Sequence, residues 1–423
     1  MSTKKEILAR YIDAHREEGV ELLKAMVQKR SIQGNEAPAQ DVVINYLEKL
    51  GLPVDVWDID PQKLASNPLF LSERKEFSNS PNVAAVLKGS GGGRSILLNG
   101  HIDVVPEGDL DKWSVDPYGG SVKNGKMYGR GTTDMKGGTV SLLMAMEAII
   151  KSGITLKGDV VFESVIEEES GGAGTLDATL RNYVADAAII PEPTCMKLFI
   201  KQQGSMWFRI SIDGRSAHGG TRYEGVSAIE KAWLIHRAIL NLEESRNSGI
   251  SDPLYQHVQI PLPINVGRIT GGNWPSSVPD LVILEGRMGV GPEENIQDAK
   301  KELIECIEKV CATDPWLKEH PARIEFFGGQ WVPNSVSTDH PFVAAVSRNF
   351  KQMYQEDIVV EASPWGTDAG ILGAQGAITT LVIGPGETRV AHYPDEYIEI
   401  DKMIEAAKLF AGVIVDWCEI NSN

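Results

Sequence analysis

GDVVFESVIEE and DAAIIPE are short, almost continuous apolar runs that lack the in-out alternation of a half-exposed strand. Runs of this length and pattern are expected of strands buried on both faces, which need helices above and below them. PNVAAVLKG, RSILLNGHIDVV and AITTLVIGPG read as further strands, and Thr139 to Ile150 has the length and composition of a helix. An opening helical region ends near Leu50, and Asn124-Gly125 predicts a tight hairpin. Strands alternating with helices place the chain in the α/β class.

The pattern changes beyond about Gln203. SMWFRISIDG reads as a strand, GVSAIEKAWLIHRAILNLEES as an amphipathic helix, and INVGRITGG and VPDLVILEGRMGV as two strands. NIQDAKKELIECIEKVCA then reads as a helix and ARIEFFGG as a strand. The order βαββαβ is that of a ferredoxin-like domain, spanning 204–331. The chain then returns to its first domain, since HPFVAAVSRNFKQMY restarts a helix. Two domains are therefore expected: a discontinuous one from 1–203 and 332–423, and the insertion.

The 423 residues suffice for a large core, and the net charge of -17 argues against nucleic acid or an anionic membrane as partner. TVSLLMAMEAII is too short to span a bilayer, and the first 30 residues hold no uninterrupted apolar stretch of the signal-peptide kind. Cys195, Cys306, Cys311 and Cys418 form no CxxC pair and read as reduced thiols. A cytoplasmic protein is expected.

Residues of metal-ligand type stand where strands end, beside glycines or prolines: His101, Asp134, Glu167, Glu168, Glu192 and His392. Stability alone explains such carboxylates poorly; a shared metal centre explains them well. Asp103 lies two residues beyond His101, on the same face of a strand, where it can accept from the distal ring nitrogen. Glu167 and Glu168 cannot both face one way in a regular strand, so one can bind metal while the other holds a proton. Two histidines and three carboxylates, with Glu167 reserved, suit two zinc ions sharing Asp134.

The segments GHIDVVPEGDLDKWSVDPY, GRGTTDMKGG, IEEESGGAGT, PEPT, GRSAHGG, GTDAG and AHYPDEYI resemble the two-zinc amidohydrolase and metallopeptidase superfamily. That superfamily contains acetylornithine deacetylase, succinyl-diaminopimelate desuccinylase, aminoacylase-1 and carboxypeptidase G. The likeness runs from about residue 80 to the C-terminus and is nearest the acetylornithine deacetylase-like branch. It implies a mixed-sheet catalytic domain whose inserted ferredoxin-like domain serves as lid and dimer interface.

Residue by residue, the resemblance implies that His101 and Glu192 hold one zinc, Glu168 and His392 the other, and Asp134 both. Cobalt is expected to substitute. Glu167 would be the general base for a zinc-bridging hydroxide, Asp103 the carboxylate behind His101, and the peptide after Asp134 would be cis. His218 would reach a partner subunit's substrate from the lid. Arg287 would hold a substrate carboxylate, although the lid arginine of the family falls where Gly289 stands, and Ser276 replaces its usual asparagine. Gly366 and Thr367 would line the pocket. The implied function is hydrolysis of an N-acyl amino acid or related N-acyl amine. The alternatives are a dipeptidase or carboxypeptidase, a deformylase of an N-formyl aminopyrimidine, or a binding protein on an inactivated fold.

Overall fold

The central strands serve two cores at once, which is why their sequences do not alternate. Ile96, Leu98, Phe162 and Ile189 face one core, together with Val140 and Leu143 of the helix Gly137–Lys151 and Phe410 of the helix Ile400–Cys418. Leu97, Val161, Ala188 and Ile190 face the other, against Ala369 and Leu372 of the helix Ala369–Gly376. Each fully buried large side chain contributes ~1.5–3 kcal/mol of transfer free energy.

The computed structural model describes residues 3–421. Its nine-stranded mixed sheet runs in the order Val54–Asp58, Pro81–Leu87, Val160–Val165, Ile96–His101, Ala187–Ile190, Thr379–Val382, Leu198–Gln202, Asn334–Ser335, with Val360–Ser363 also paired to Leu198–Gln202. Ile96–His101 is parallel to both its neighbours, and Ala187–Ile190 is parallel to Thr379–Val382. The carboxyl ends of these strands therefore share one edge. His101 ends one strand, the three glutamates follow Val165, and Glu192 follows Ile190. Ligands gather at such an edge in open α/β sheets.

The insertion forms a four-stranded antiparallel sheet in the order Ile264–Gly271, Leu281–Val290, Gly204–Asp213, Arg323–Trp331. The helices Ala228–Ser248 and Ile296–Thr313 pack against each other beside it. The βαββαβ order and the α/β class are those expected. Its two connections to the larger sheet lie side by side, because Ser205 pairs with Trp331 and Gln202 with Asn334.

Asn124 and Gly125 turn the hairpin between Ser121–Lys123 and Lys126–Tyr128 with left-handed φ of 53° and 73°. The strand Leu198–Gln202 and the helix Ile400–Cys418 were not read from the sequence. Residues 65–80 run without helix or strand between the short helix Pro61–Leu64 and the strand Pro81–Leu87. Among the described residues, no helix is long and apolar enough to cross a membrane.

Candidate metal centre

The turn Thr132–Lys136 carries Asp134 into the space between two imidazoles. Asp134 Oδ1 lies 3.3 Å from His101 Nε2, and its Oδ2 lies 3.2 Å from His392 Nε2. Glu192 Oε1 is 3.8 Å from His101 Nε2. The peptide between Asp134 and Met135 is cis. Gly138 follows, where the Pro191 carbonyl leaves no room for a Cβ, so the Pro-Glu-Pro turn packs directly on the start of the helix.

Arg130 and Glu396 hold this arrangement from behind, and sequence reasoning missed both. Glu396 Oε1 accepts from the backbone N–H of Thr133 at 2.9 Å and of Asp134 at 3.2 Å. Arg130 Nη1 donates to Glu396 Oε2 at 2.7 Å, and Arg130 Nη2 to the His392 carbonyl at 3.3 Å. The buried pair thus ties the Asp134 turn to the His392 loop. Both residues lie inside the GRGTTDMKGG and AHYPDEYI segments, which was the available signal.

The three consecutive glutamates diverge. Glu167 has a left-handed φ of 65° and is followed by a single 3-10 turn, Glu168–Ser170, in which successive side chains project about 120° apart. Glu169 Oε1 meets His392 Nε2 at 3.1 Å. The ligand-type atoms of His101, Asp134 and Glu169 lie within 4.8 Å of one another, as do those of His101, Glu168 and Glu192. Glu167 points elsewhere: it accepts from Arg74 Nη1 at 2.7 Å and from Gln33 Nε2 at 3.0 Å. Glu169 stands beside His392 where Glu168 was expected, and Glu168 faces the cavity where Glu167 was expected. The left-handed step at Glu167 is the cause.

Asp103 also differs in detail. His101 Nδ1 meets the backbone carbonyl of Asp103 at 2.9 Å, while the Asp103 carboxylate stands 3.7 Å away. That carboxylate accepts instead from the backbone N–H of Glu168 at 3.3 Å and of Glu169 at 3.1 Å. Asp103 positions the glutamate turn and leaves the tautomer of His101 to its own carbonyl.

The centre is crowded with acid. Burial and nearby carboxylates push Glu192 and Glu168 well above the usual carboxylate range, and burial pushes Asp103 up to about 8. Burial opposes charge on His392, yet Asp134 and Glu169 carry its pKa up to about 11. So many buried carboxylates call for cations, and the donors are imidazole nitrogens and carboxylate oxygens. His101, committed through Nδ1, presents Nε2 inward. Such a set fits two divalent ions of the zinc type, with Asp134 placed to serve both.

A cavity of about 570 Å³ opens onto Asp134, Glu168, Glu169, Glu192 and His392. Trp207, Trp331 and Trp365 also line it, with Ser205, Arg287 and Gly366. The tryptophans were not foreseen as pocket residues. Trp331 Nε1 donates to the Glu168 carbonyl at 3.1 Å. The Arg287 side chain makes no ion pair or hydrogen bond among the described residues, and burial lowers its pKa. Thr367, expected to line the pocket, is buried beneath it. Its Oγ1 donates to Gln202 Oε1 at 2.7 Å and its carbonyl accepts from Gln202 Nε2 at 2.9 Å. His218 is exposed on the insertion, where Nδ1 accepts from the Gly220 N–H at 3.0 Å, away from this cavity. Trp274 is also exposed.

Residues 97–416 match Peptidase family M20/M25/M40. The chain is 31% identical to an N-formyl-4-amino-5-aminomethyl-2-methylpyrimidine deformylase of Halalkalibacterium halodurans, over 99% of both chains. It is 28% identical to an acetylornithine deacetylase of Proteus mirabilis, over 94% of this chain and 96% of that one. Among solved structures, the di-peptidase Dug1p of Saccharomyces cerevisiae superposes with a TM-score of 0.78 at 14% identity, over all of both chains.

Proposed function

This chain belongs to peptidase family M20/M25/M40, and from that membership we propose that it hydrolyses the amide bond of a small N-acyl amine at a two-metal centre. His101 and Glu192 would hold one ion, Glu169 and His392 the other, with Asp134 between them. The observation that carries this reading is the Asp134 carboxylate, with one oxygen turned to each imidazole. Two bound zinc ions would polarise the amide carbonyl and lower the pKa of the attacking water.

Glu168 moves the proton. It lines the cavity, whereas Glu167 is occupied by Arg74 and Gln33. Glu168 accepts a proton as the water oxygen bonds to the carbonyl carbon, and delivers it to the nitrogen as the C–N bond breaks. The products are a carboxylic acid and a free amine. Trp331, bonded to the Glu168 carbonyl, fixes the depth at which that residue sits.

For the amine, the tryptophan walls favour a flat ring, which stacks on indole at a gain of ~0.5–1.5 kcal/mol beyond its buried area. An N-formyl aminopyrimidine, the substrate named for the Halalkalibacterium halodurans relative, has that shape. The unpartnered Arg287 favours a second reading, an N-acyl amino acid whose carboxylate it would receive.

The deciding test is turnover of N-formyl-4-amino-5-aminomethyl-2-methylpyrimidine, N-acetylornithine and a dipeptide by the zinc- or cobalt-loaded chain. A formyl-pyrimidine kcat/KM at least about tenfold above the others, ~1.4 kcal/mol of transition-state preference, supports the ring. The reverse order selects the amino acid. No turnover together with no bound metal overturns the hydrolase reading.

The insertion also bears an apolar groove formed by Ile229, Trp233, Ile269 and Leu284, with Trp233 61% exposed. A second copy of the chain would cover it and make the protein a homodimer. The inserted domain would then serve as interface, and His218 would be carried towards the partner's cavity. Light scattering of Trp233→Glu against the parent tests this: an unchanged mass contradicts the groove as the interface.

A further inference from the structure

Arg74 stands on the irregular segment 65–80 and reaches beneath the turn that presents Glu168 and Glu169. Its Nη1 donates to Glu167 Oε1 at 2.7 Å and to Glu36 Oε1 at 2.8 Å. Its Nε donates to the Glu76 carbonyl at 2.8 Å, and the guanidinium lies 4.8 Å from the centre of the Phe77 ring. Nη2 donates to Ser80 Oγ, which in turn donates to Glu36 Oε2 at 2.6 Å. Glu36 and Glu167 are both buried, so a single guanidinium compensates two carboxylates. A sixteen-residue stretch without helix or strand is long for a mere connection, and this one delivers an arginine with four side-chain hydrogen bonds to one spot.

We infer that Arg74 is a positioning residue for the hydrolysis: its grip on the Glu167 carboxylate fixes the left-handed start of the turn, and thereby the directions of Glu168 and Glu169. The turn is clamped from two sides. Asp103 holds the N–H groups of Glu168 and Glu169, and Arg74 with Gln33 holds the side chain of the preceding residue. Without the second clamp the turn can rotate about Glu167, and both following carboxylates swing with it. A displacement of about 1 Å at a reacting group can cost ~100-fold in rate. A plain structural ion pair would alter stability and leave the kinetics alone.

The inference rests on Glu168 as the proton carrier, so the experiment must separate the two. Arg74→Lys keeps the charge but lacks the planar fork that reaches both carboxylates, Ser80 and Glu76 at once. For Arg74→Lys the expected result is a ~10–100-fold lower kcat, as for other residues that hold metal ligands from behind. The KM should stay within about threefold, as when a contact felt only in the transition state is lost. The assay uses whichever of the three test substrates is hydrolysed. Cobalt titration of the metal-free chain, followed by visible absorption, should show weaker binding of one equivalent.

Glu167→Gln retains its acceptor for Arg74 and should keep kcat within about tenfold of the parent, whereas Glu168→Gln should lose ~100-fold or more. Parental kcat and parental cobalt binding in folded Arg74→Lys and Arg74→Met overturn the inference. So does a Glu167→Gln chain that binds both metals but turns nothing over. Should Arg74→Met fail to fold, Arg74→Lys and Glu167→Gln still decide. An active Glu168→Gln would overturn the proton assignment alone. The cobalt titration needs no substrate and would still report whether Arg74 aims the turn.

Discussion

Glu169 Oε1 lies 3.1 Å from Nε2 of His392, whereas the ligand-type atoms of Glu168 gather with those of His101 and Glu192. Neighbours in sequence thus have separate stations, and substitutions at each should fail differently. Glu169→Gln should bind about one metal equivalent less than the parent, because a neutral amide is a poor zinc ligand. Atomic absorption on the dialysed chain reads this directly. Two full equivalents in Glu169→Gln would return the metal-binding role to Glu168.

Thr367 supports the cavity floor from below. Thr367→Val removes the hydroxyl that donates to Gln202 Oε1 and leaves a buried acceptor bare, at a cost of ~1–3 kcal/mol of stability. Since the side chain does not face the cavity, KM should be unchanged. Urea unfolding and steady-state kinetics on one preparation check both halves. A raised KM with unchanged stability would restore Thr367 as a substrate contact.

Arg287 separates the two substrate readings. Arg287→Met should raise the KM of an N-acyl amino acid ~10–100-fold, the loss of a charge-assisted hydrogen bond of ~1.5–3 kcal/mol. A ring substrate without a carboxylate should show little change. Equal effects on both would mean that Arg287 shapes the cavity without reading charge.

Glu163, apart from the residues proposed to hold metal, makes stability depend on pH. Its Oε1 accepts from Asn99 Nδ2 at 2.8 Å and its Oε2 has no partner. Burial, with Asp368 nearby, pushes it up to about 8, against ~4.3 in an unfolded chain. The folded state therefore holds a proton that the unfolded state releases between these values. Glu163's favourable contribution is complete below about pH 4.3 and is lost as pH rises through about 8, at up to ~1.4 kcal/mol per pH unit. Glu163→Gln should gain stability over the parent from pH 5.5 to 8.5 in urea melts. A constant difference across that range would remove Glu163 as the source.

The sheet, the insertion and the gathering of His101, Asp103, Asp134, Glu192 and His392 into one place were legible because burial and turn chemistry write themselves into local sequence. Double-sided burial leaves unbroken apolar runs, and glycines and prolines mark the strand ends. The register of Glu167, Glu168 and Glu169 was not legible. It turns on one left-handed φ at a non-glycine residue, which composition does not announce. The bonding of Thr367 and the place of Arg74 were hidden for another reason: their partners lie far along the chain, at Gln202 and at Glu36 and Glu167. Trp207, Trp331 and Trp365 stand in three different parts of the sequence, and only the closed fold brings them onto one cavity.

The side-by-side connections of the insertion, where Ser205 pairs with Trp331 and Gln202 with Asn334, divide labour along the gene. Every residue proposed to hold metal is encoded outside 204–331, whereas Ser205, Trp207, Arg287 and Trp331 are encoded within it. A segment whose two ends are hydrogen-bonded neighbours can be exchanged as a cassette without re-threading the rest. Exchange of that segment would therefore renew one wall of the cavity while every proposed metal-binding residue stays in place.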